Sequence, residues 1–241
     1  MQIKADLHTH TVASTHAYST VAELCAAAAE TGVELIAVTD HGIGAPDAPH
    51  RWHFHNYKVL PRVIGGVRLL KGVEANIMDE NGLLDMNEKE LSFCEWVIAS
   101  YHTGCVTFDR TPENVLRGYR GVCENPLVDV IGHPTTAFFP FDYEAGARLF
   151  KESGKLVEMN ESSLQWKPGA LENARIFYAF CKQYAVPLVV NTDAHYAGQV
   201  GKTPVSAQLL AELSYPRELI FSLDAGRIMA LAHEKRGIVF D

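Results

Sequence analysis

Positive charge is scarce in this chain: 21 Lys and Arg stand against 29 Asp and Glu, a formal charge of −8. Non-specific binding to nucleic acid or to an anionic membrane surface wants basic patches, so neither is an expected partner. Long apolar runs are missing too, with nothing near the roughly 20 residues that cross a bilayer. The opening Met1-Gln2-Ile3-Lys4-Ala5-Asp6 lacks the apolar centre of a signal peptide, and a cytoplasmic protein is expected. The five cysteines (Cys25, Cys94, Cys105, Cys123, Cys181) are odd in number and never spaced Cys-x-x-Cys, which argues for reduced, buried thiols. No repeat, low-complexity tract or linker divides the 241 residues, and one domain spanning 1–241 is expected.

Histidine is what the chain has in excess, 11 in all. Three fall within Asp6-Leu7-His8-Thr9-His10-Thr11-Val12-Ala13-Ser14-Thr15-His16, directly after a short apolar run. Side chains two apart on an extended segment share a face, so His8 and His10 can reach one point in space. His16 lies beyond, in a stretch of small and hydroxyl residues that reads as a loop able to bend back toward that point.

Strand and helix patterns then alternate. Residues 3–8 read as a strand and 20–31 as a helix stopped by Gly32; Leu35-Ile36-Ala37-Val38-Thr39 is an aliphatic run of the kind buried on both faces of a parallel sheet, ending in Asp40-His41-Gly42. Residues 43–60 break the rhythm with Pro46, Pro49 and an aromatic, histidine-rich patch, predicting a loop folded over the site and then a short helical turn. Further strands are expected at 68–75, 96–102, 128–134, 155–160 and 187–195, a small hairpin at 77–85 around Asn81-Gly82, and helices at 112–123, 143–153, 169–184, 205–213 and 216–236.

Seven strand-then-helix units with aliphatic strands imply a closed or nearly closed parallel α/β barrel, whose reactive groups sit on the C-terminal ends of the strands. His8 and His10, His41, Glu74, His102, His133, and Asp193 with His195 all fall at such ends, so six of seven strands donate to one rim. With His16 this makes seven imidazoles and two carboxylates. That is too many for one ion of four- to six-fold coordination, so two or three metals are expected, with Glu74 free to bridge. Imidazole-dominated sites suit zinc, with manganese or iron as alternatives. Such a cluster keeps net positive charge and wants a polyanion; phosphate ester hydrolysis by a metal-bridging hydroxide follows as the natural reaction. Candidates for binding substrate phosphate or its leaving group are Arg62, Arg51, His53 and Lys167, against the ordinary alternative that long basic side chains on loops are solvated. Asp40 reads either as a carboxylate orienting a histidine or as a cap of the next turn.

Asp-Leu-His-Thr-His at the start, His16, Thr39-Asp40-His41-Gly42, Gly72-Val73-Glu74-Ala75-Asn76, His102, Gly132-His133-Pro134 and Asn191-Thr192-Asp193-Ala194-His195 together resemble the PHP (polymerase and histidinol phosphatase) superfamily. Asp47-Ala48-Pro49-His50-Arg51-Trp52-His53-Phe54 and Pro61-Arg62-Val63 are similar to its YcdX-type phosphatases. The resemblance implies a distorted (βα)7 TIM-like barrel with a trinuclear zinc site. His8, His10, Glu74 and Asp193 would hold one metal, His16, His41 and His195 a second, and Glu74, His102 and His133 the third. It also implies a small phosphorylated substrate. An amidohydrolase barrel, a phosphodiesterase or exonuclease-like activity, and a non-catalytic PHP module are the competing readings; an oligomer is compatible with all of them.

Overall fold

Strands of two to ten residues, the longer ones aliphatic in the middle and polar at the C-terminal end, set the architecture. The computed structural model describes residues 1–240. Barrel strands β1 (Ala5–Thr9), β2 (Leu35–Val38), β4 (Val67–Asn76), β5 (Trp96–Ser100), β6 (Val130–Ile131), β7 (Leu156–Asn160) and β8 (Leu188–Asn191) run parallel in that order, and β3 (Val63–Ile64) pairs antiparallel with β4. This is the expected nearly closed, distorted (βα)7 barrel.

Alternation assigns the two faces of the wall. Ala5, Leu7, Leu35, Ala37, Leu70, Trp96, Ile98, Val130, Leu156 and Val189 pack on one another inside, with Ala225, Ile228 and Ala232 of helix α9 (Ala225–Arg236) closing the bottom. Their neighbours Ile36, Val38, Leu69, Val73, Val97, Ile131, Val157 and Val190 face outward. There they meet a shell of helices: α1 (Val21–Thr31), α4 (Pro112–Glu124), α5 (Tyr143–Glu152), α7 (Ala170–Gln183) and α8 (Pro204–Glu212). Short helices α2 (Trp52–His55), α3 (Glu88–Leu91) and α6 (Glu161–Trp166) lie in the connections. Local chemistry explains the boundaries. Thr20 and Glu23 form a capping box on α1, Gly32 ends it at φ 74°, and Thr111 with Pro112 opens α4.

One irregularity matters for the site. The β1–β2 register runs Ala5↔Leu35 and Asp6↔Ile36 but Thr9↔Val38, so β1 carries one extra residue between Asp6 and Thr9. A bulge of this kind resets the side-chain alternation. Leu7 faces the apolar interior, and His8 and His10 can face the same interior one layer higher.

The seam between β1 and β8 has no continuous ladder. It is closed by a single bridge, Thr9↔Ala194, by the Leu7 amide donating to Asn191 Oδ1 at 2.9 Å, and by buried Asp6, which accepts from the Thr192 hydroxyl at 2.6 Å and amide at 3.0 Å.

Three expectations needed adjustment. Gly65 and Gly66, at φ 58° and 85°, make a two-residue turn joining β3 to β4, so the third strand is one arm of a hairpin. The 77–85 hairpin consists of one bridge, Ile77↔Leu84, with Met78 N donating to Leu83 O at 2.8 Å. In the 216–236 segment the chain makes two 3-10 turns, Arg217–Leu219 and Phe221–Leu223, before α9 begins. None of the helices among the described residues is long and apolar enough to cross a membrane.

Candidate metal centre

The nine expected donors converge above the apolar interior. His8 and His10, presented by the bulge, bring their Nε2 atoms to 3.1 Å from each other. Glu74, four residues after interior Leu70 on β4, places Oε2 3.2 Å from His8 Nε2 and 3.5 Å from His10 Nε2. Asp193 places Oδ1 3.5 Å and 3.1 Å from the same two nitrogens. These five separations fit a tetrahedron. Ligands about 2.0–2.1 Å from one ion lie about 3.3 Å from one another.

Glu74 turns its other oxygen to a different group: Oε1 is 2.8 Å from His133 Nε2 and 3.3 Å from His102 Nε2. His41 Nδ1 lies 3.1 Å from Glu74 Oε2. The His16 ring sits 5.4 Å from that of His41 and 4.3 Å from that of His195, centroid to centroid. Donor atoms of His10, His41 and His195, of His8, His10 and Asp193, of His16, His41 and Asp47, and of His41, Glu74 and His102 each fall within 4.8 Å of one another.

Several of these atoms are stranded without a cation. His41 Nδ1, His195 Nε2 and Asp193 Oδ1 are buried and have no hydrogen-bond partner. Stranded polar atoms are costly in an interior, and a shared ion satisfies them. The donor set, imidazole with two carboxylates, fits divalent metal. Charge coupling divides the rings: against the pull of burial, Glu158 and Glu74 hold His8 well above the usual imidazole range. Burial works against ionisation of Glu74, but the His8, His102 and His41 imidazoles hold its carboxyl well below the usual range. Burial, with His41 adding to it, pushes His10 down to about 4, so its ring stays neutral and available as a ligand.

Partners behind the donors fix the rings. His102 Nδ1 meets Asn76 Oδ1 at 2.7 Å, His16 Nδ1 meets Asp47 Oδ2 at 2.6 Å, and His195 Nδ1 meets Asp193 O at 3.0 Å. His8 Nδ1 meets Glu158 Oε1 at 2.7 Å. In each case one nitrogen is committed and Nε2 is left toward the centre. His133 and Asp193 hold φ 23° and 55°, left-handed values rare for such residues, which places unusual backbone at two donor positions.

Sequence reasoning left Glu158, Asn160 and Asp47 without roles at the site. Glu158 is fully buried and in phase with the interior residue Leu156, a placement that the strand pattern of 156–160 does not by itself disclose. Asp40 proves to be a cap for the 11–14 turn, accepting from Thr11 N at 2.8 Å, Thr11 Oγ1 at 2.7 Å and Ser14 Oγ at 2.8 Å, with His53 Nε2 at 3.2 Å.

The four basic candidates separate. Lys167, just after α6, lines a cavity of about 240 Å3 together with every donor except His8 and His10, and with Pro46, Thr103, Cys105, Thr136 and Phe138. The other three do not line it. His53 turns Nε2 to 3.2 Å from Asp40 Oδ2. Arg51 pairs with Glu90 at 3.0 Å in a separate cleft beside Met86 and Asn87. Arg62 pairs with Glu95 at the opposite end of the barrel, where β3 joins Arg68 at the start of β4. Six residues of strand separate Arg68 from Glu74, about 20 Å, too far for Arg62 to reach the centre.

Comparison with known proteins places this geometry. The model of the PHP domain matches residues 6–165. A protein of Acetivibrio thermocellus named "Probable phosphatase" is 42% identical over 222 residues, 92% of each chain. A second, from a Thermoanaerobacter species and also named a probable phosphatase, is 39% identical over 98% of this chain and 97% of its own length. Among solved structures, histidinol phosphate phosphatase of Lactococcus lactis, in complex with zinc, L-histidinol and phosphate, superposes with a TM-score of 0.58, covering 88% of this chain and 94% of that one at 15% identity. At that identity it speaks for the fold.

Proposed function

The chain belongs to the PHP domain family, and from that premise we propose that it hydrolyses small phosphomonoesters at a centre of three divalent ions, zinc first, with manganese or iron as alternatives. The observation that carries this reading is the set of five separations between 3.1 and 3.5 Å among His8, His10, Glu74 and Asp193. His8, His10, Glu74 and Asp193 would hold one ion, His16, His41 and His195 a second, and Glu74, His102 and His133 the third. Ions held there supply water of lowered pKa and offset phosphoryl charge.

The chain's own groups do the rest. His8, His16, His102 and His195 present fixed Nε2 atoms, Glu74 faces two donor groups at once, and Lys167 brings a cation to the mouth of the cavity to meet substrate phosphate. A volume of about 240 Å3 lies below the roughly 300–1,000 Å3 of most ligand pockets, which favours a small monoester over a polymeric diester. The names carried by the 42% and 39% identical relatives support phosphatase chemistry.

The test is a screen of metal-reconstituted protein over phosphomonoesters, a dinucleotide, a lactone and an amide, run beside elemental analysis. Phosphomonoester turnover with about three ions per chain is expected. His10→Ala and His195→Ala should each lower metal content and abolish hydrolysis. Full activity in either removes that residue from the site, and a loaded protein inert on every phosphoester overturns the reading.

A further inference from the structure

Strand β7 is the one barrel strand that supplies no expected metal donor, yet it points a carboxylate at the centre. Glu158 is 0% exposed and accepts four hydrogen bonds. Oε1 takes His8 Nδ1 at 2.7 Å and Asn191 Nδ2 at 2.8 Å; Oε2 takes the His133 amide at 2.8 Å and Asn160 Nδ2 at 3.1 Å. The same Asn160 Nδ2 lies 3.2 Å from Asp193 Oδ2. With both oxygens doubly occupied, Glu158 has no lone pair left over for an ion.

We propose that Glu158 is a positioning residue that holds the donors of two ion positions in register from beneath, as Glu74 faces both from within. The inference rests on the metal-centre reading above. By engaging His8 Nδ1, Glu158 fixes the ring so that Nε2 is the atom turned toward Asp193 and Glu74. By accepting from the His133 amide, it holds a backbone whose φ of 23° persists only when its surroundings impose it, and so aims His133 Nε2 at Glu74 Oε1. Its link through Asn160 reaches Asp193, a donor of the first group. A residue serving packing alone at this interior position would be aliphatic, as Leu156 is two residues earlier on the same face. A buried carboxylate here is justified by what it orders.

Glu158→Gln keeps the volume but puts an NH2 where acceptors are required on both sides. Apo-protein of wild type and variant is titrated with Zn2+ and with Co2+, following ions bound per chain, their affinities and the visible absorption of Co2+. The expected result is a loss of tenfold or more for two ions together and an altered Co2+ spectrum. Affinity unchanged for all ions, or a loss confined to one, overturns the inference. A change only in the unfolding midpoint of the ion-free chain does the same, since a merely structural role predicts that. Wild type that takes up no ions fails the metal-centre reading itself; loaded wild type beside an unaffected variant fails only the role of Glu158. Should Glu158→Gln not fold, Asn160→Ser carries the test. It keeps an N-cap acceptor for Ser163 on α6 and removes the Nδ2 link. Weakened uptake at the ion shared by His8 and Asp193 is expected, and unchanged uptake overturns the inference.

Discussion

At the scale of single residues, the site divides into side chains that meet ligand and side chains that aim them. Lys167 is proposed for the first class because it lines the cavity and makes no ion pair among the described residues. Lys167→Met is expected to raise KM for phosphomonoesters about tenfold, ~1.4 kcal/mol, with kcat within a factor of two, because an exposed cation at the mouth aids binding more than bond breaking. Steady-state kinetics on one substrate settles it; a kcat loss with unchanged KM would place Lys167 at the reacting phosphoryl group instead. Residues of this kind differ in how plainly the sequence declares them. His41, Glu74 and His102 are legible because each ends or follows an aliphatic run, where barrels expose polar groups. Glu158 was not, since an acid inside Leu156-Val157-Glu158-Met159-Asn160 reads as one more strand residue until the layer it occupies is known. Arg62 misled for the reverse reason: its motif neighbourhood suggests the site, while its place before a hairpin arm puts it at the far end of the wall.

At the scale of elements, register decides what each strand presents. The bulge in β1 is the clearest case, since a strictly alternating strand facing Leu7 inward would face His8 outward. His8 and His10 were predicted to share a face, and they do; that the face also belongs to Leu7 depends on one inserted residue that no local pattern announces. The β3–β4 hairpin was more accessible, because Gly65-Gly66 between Val-Ile and Val-Arg is a two-residue turn signal. Gly72 bears on this scale too. A methyl group there would meet Trp96 O at 2.5 Å and Thr39 Cγ2 at 2.9 Å, between paired strands β4 and β5. Gly72→Ala is therefore expected to destabilise the fold by about 1–3 kcal/mol through overpacking and, by shifting Glu74 two residues on, to lower metal content. Denaturant unfolding and elemental analysis check both; a stable, fully loaded variant would show that the two strands can part without disturbing the centre.

At the scale of the whole molecule, the barrel keeps stability at one end and chemistry at the other. Below, α9 closes the interior, and its last turn clamps Asp129: Lys235 Nζ at 2.9 Å and Arg236 Nη2 at 2.8 Å reach a carboxylate that also accepts from Val97 N at 2.9 Å. Asp129→Ala would leave the Val97 amide without a partner and strip the carboxylate from Arg236, whose side chain is largely buried and keeps only its bond to Leu127 O at 2.6 Å. A loss of about 3 kcal/mol in unfolding free energy is expected, with metal content and kcat unchanged in the folded fraction; lost metal there would mean the two ends are coupled. Above, the open seam between β1 and β8 has the opposite character. Its edges carry His8 and His10 on one side and Asp193 and His195 on the other, so ions held by them would tie a joint where backbone pairing amounts to the Thr9–Ala194 bridge. Stripping them with chelator should speed deuterium uptake at the Leu7 and His10 amides well before those of β4 and β5, and uniform exchange across all strands would refute it. Metal bound there would then fasten the cylinder as well as serve its proposed chemistry, and apo-protein should open along this one line first.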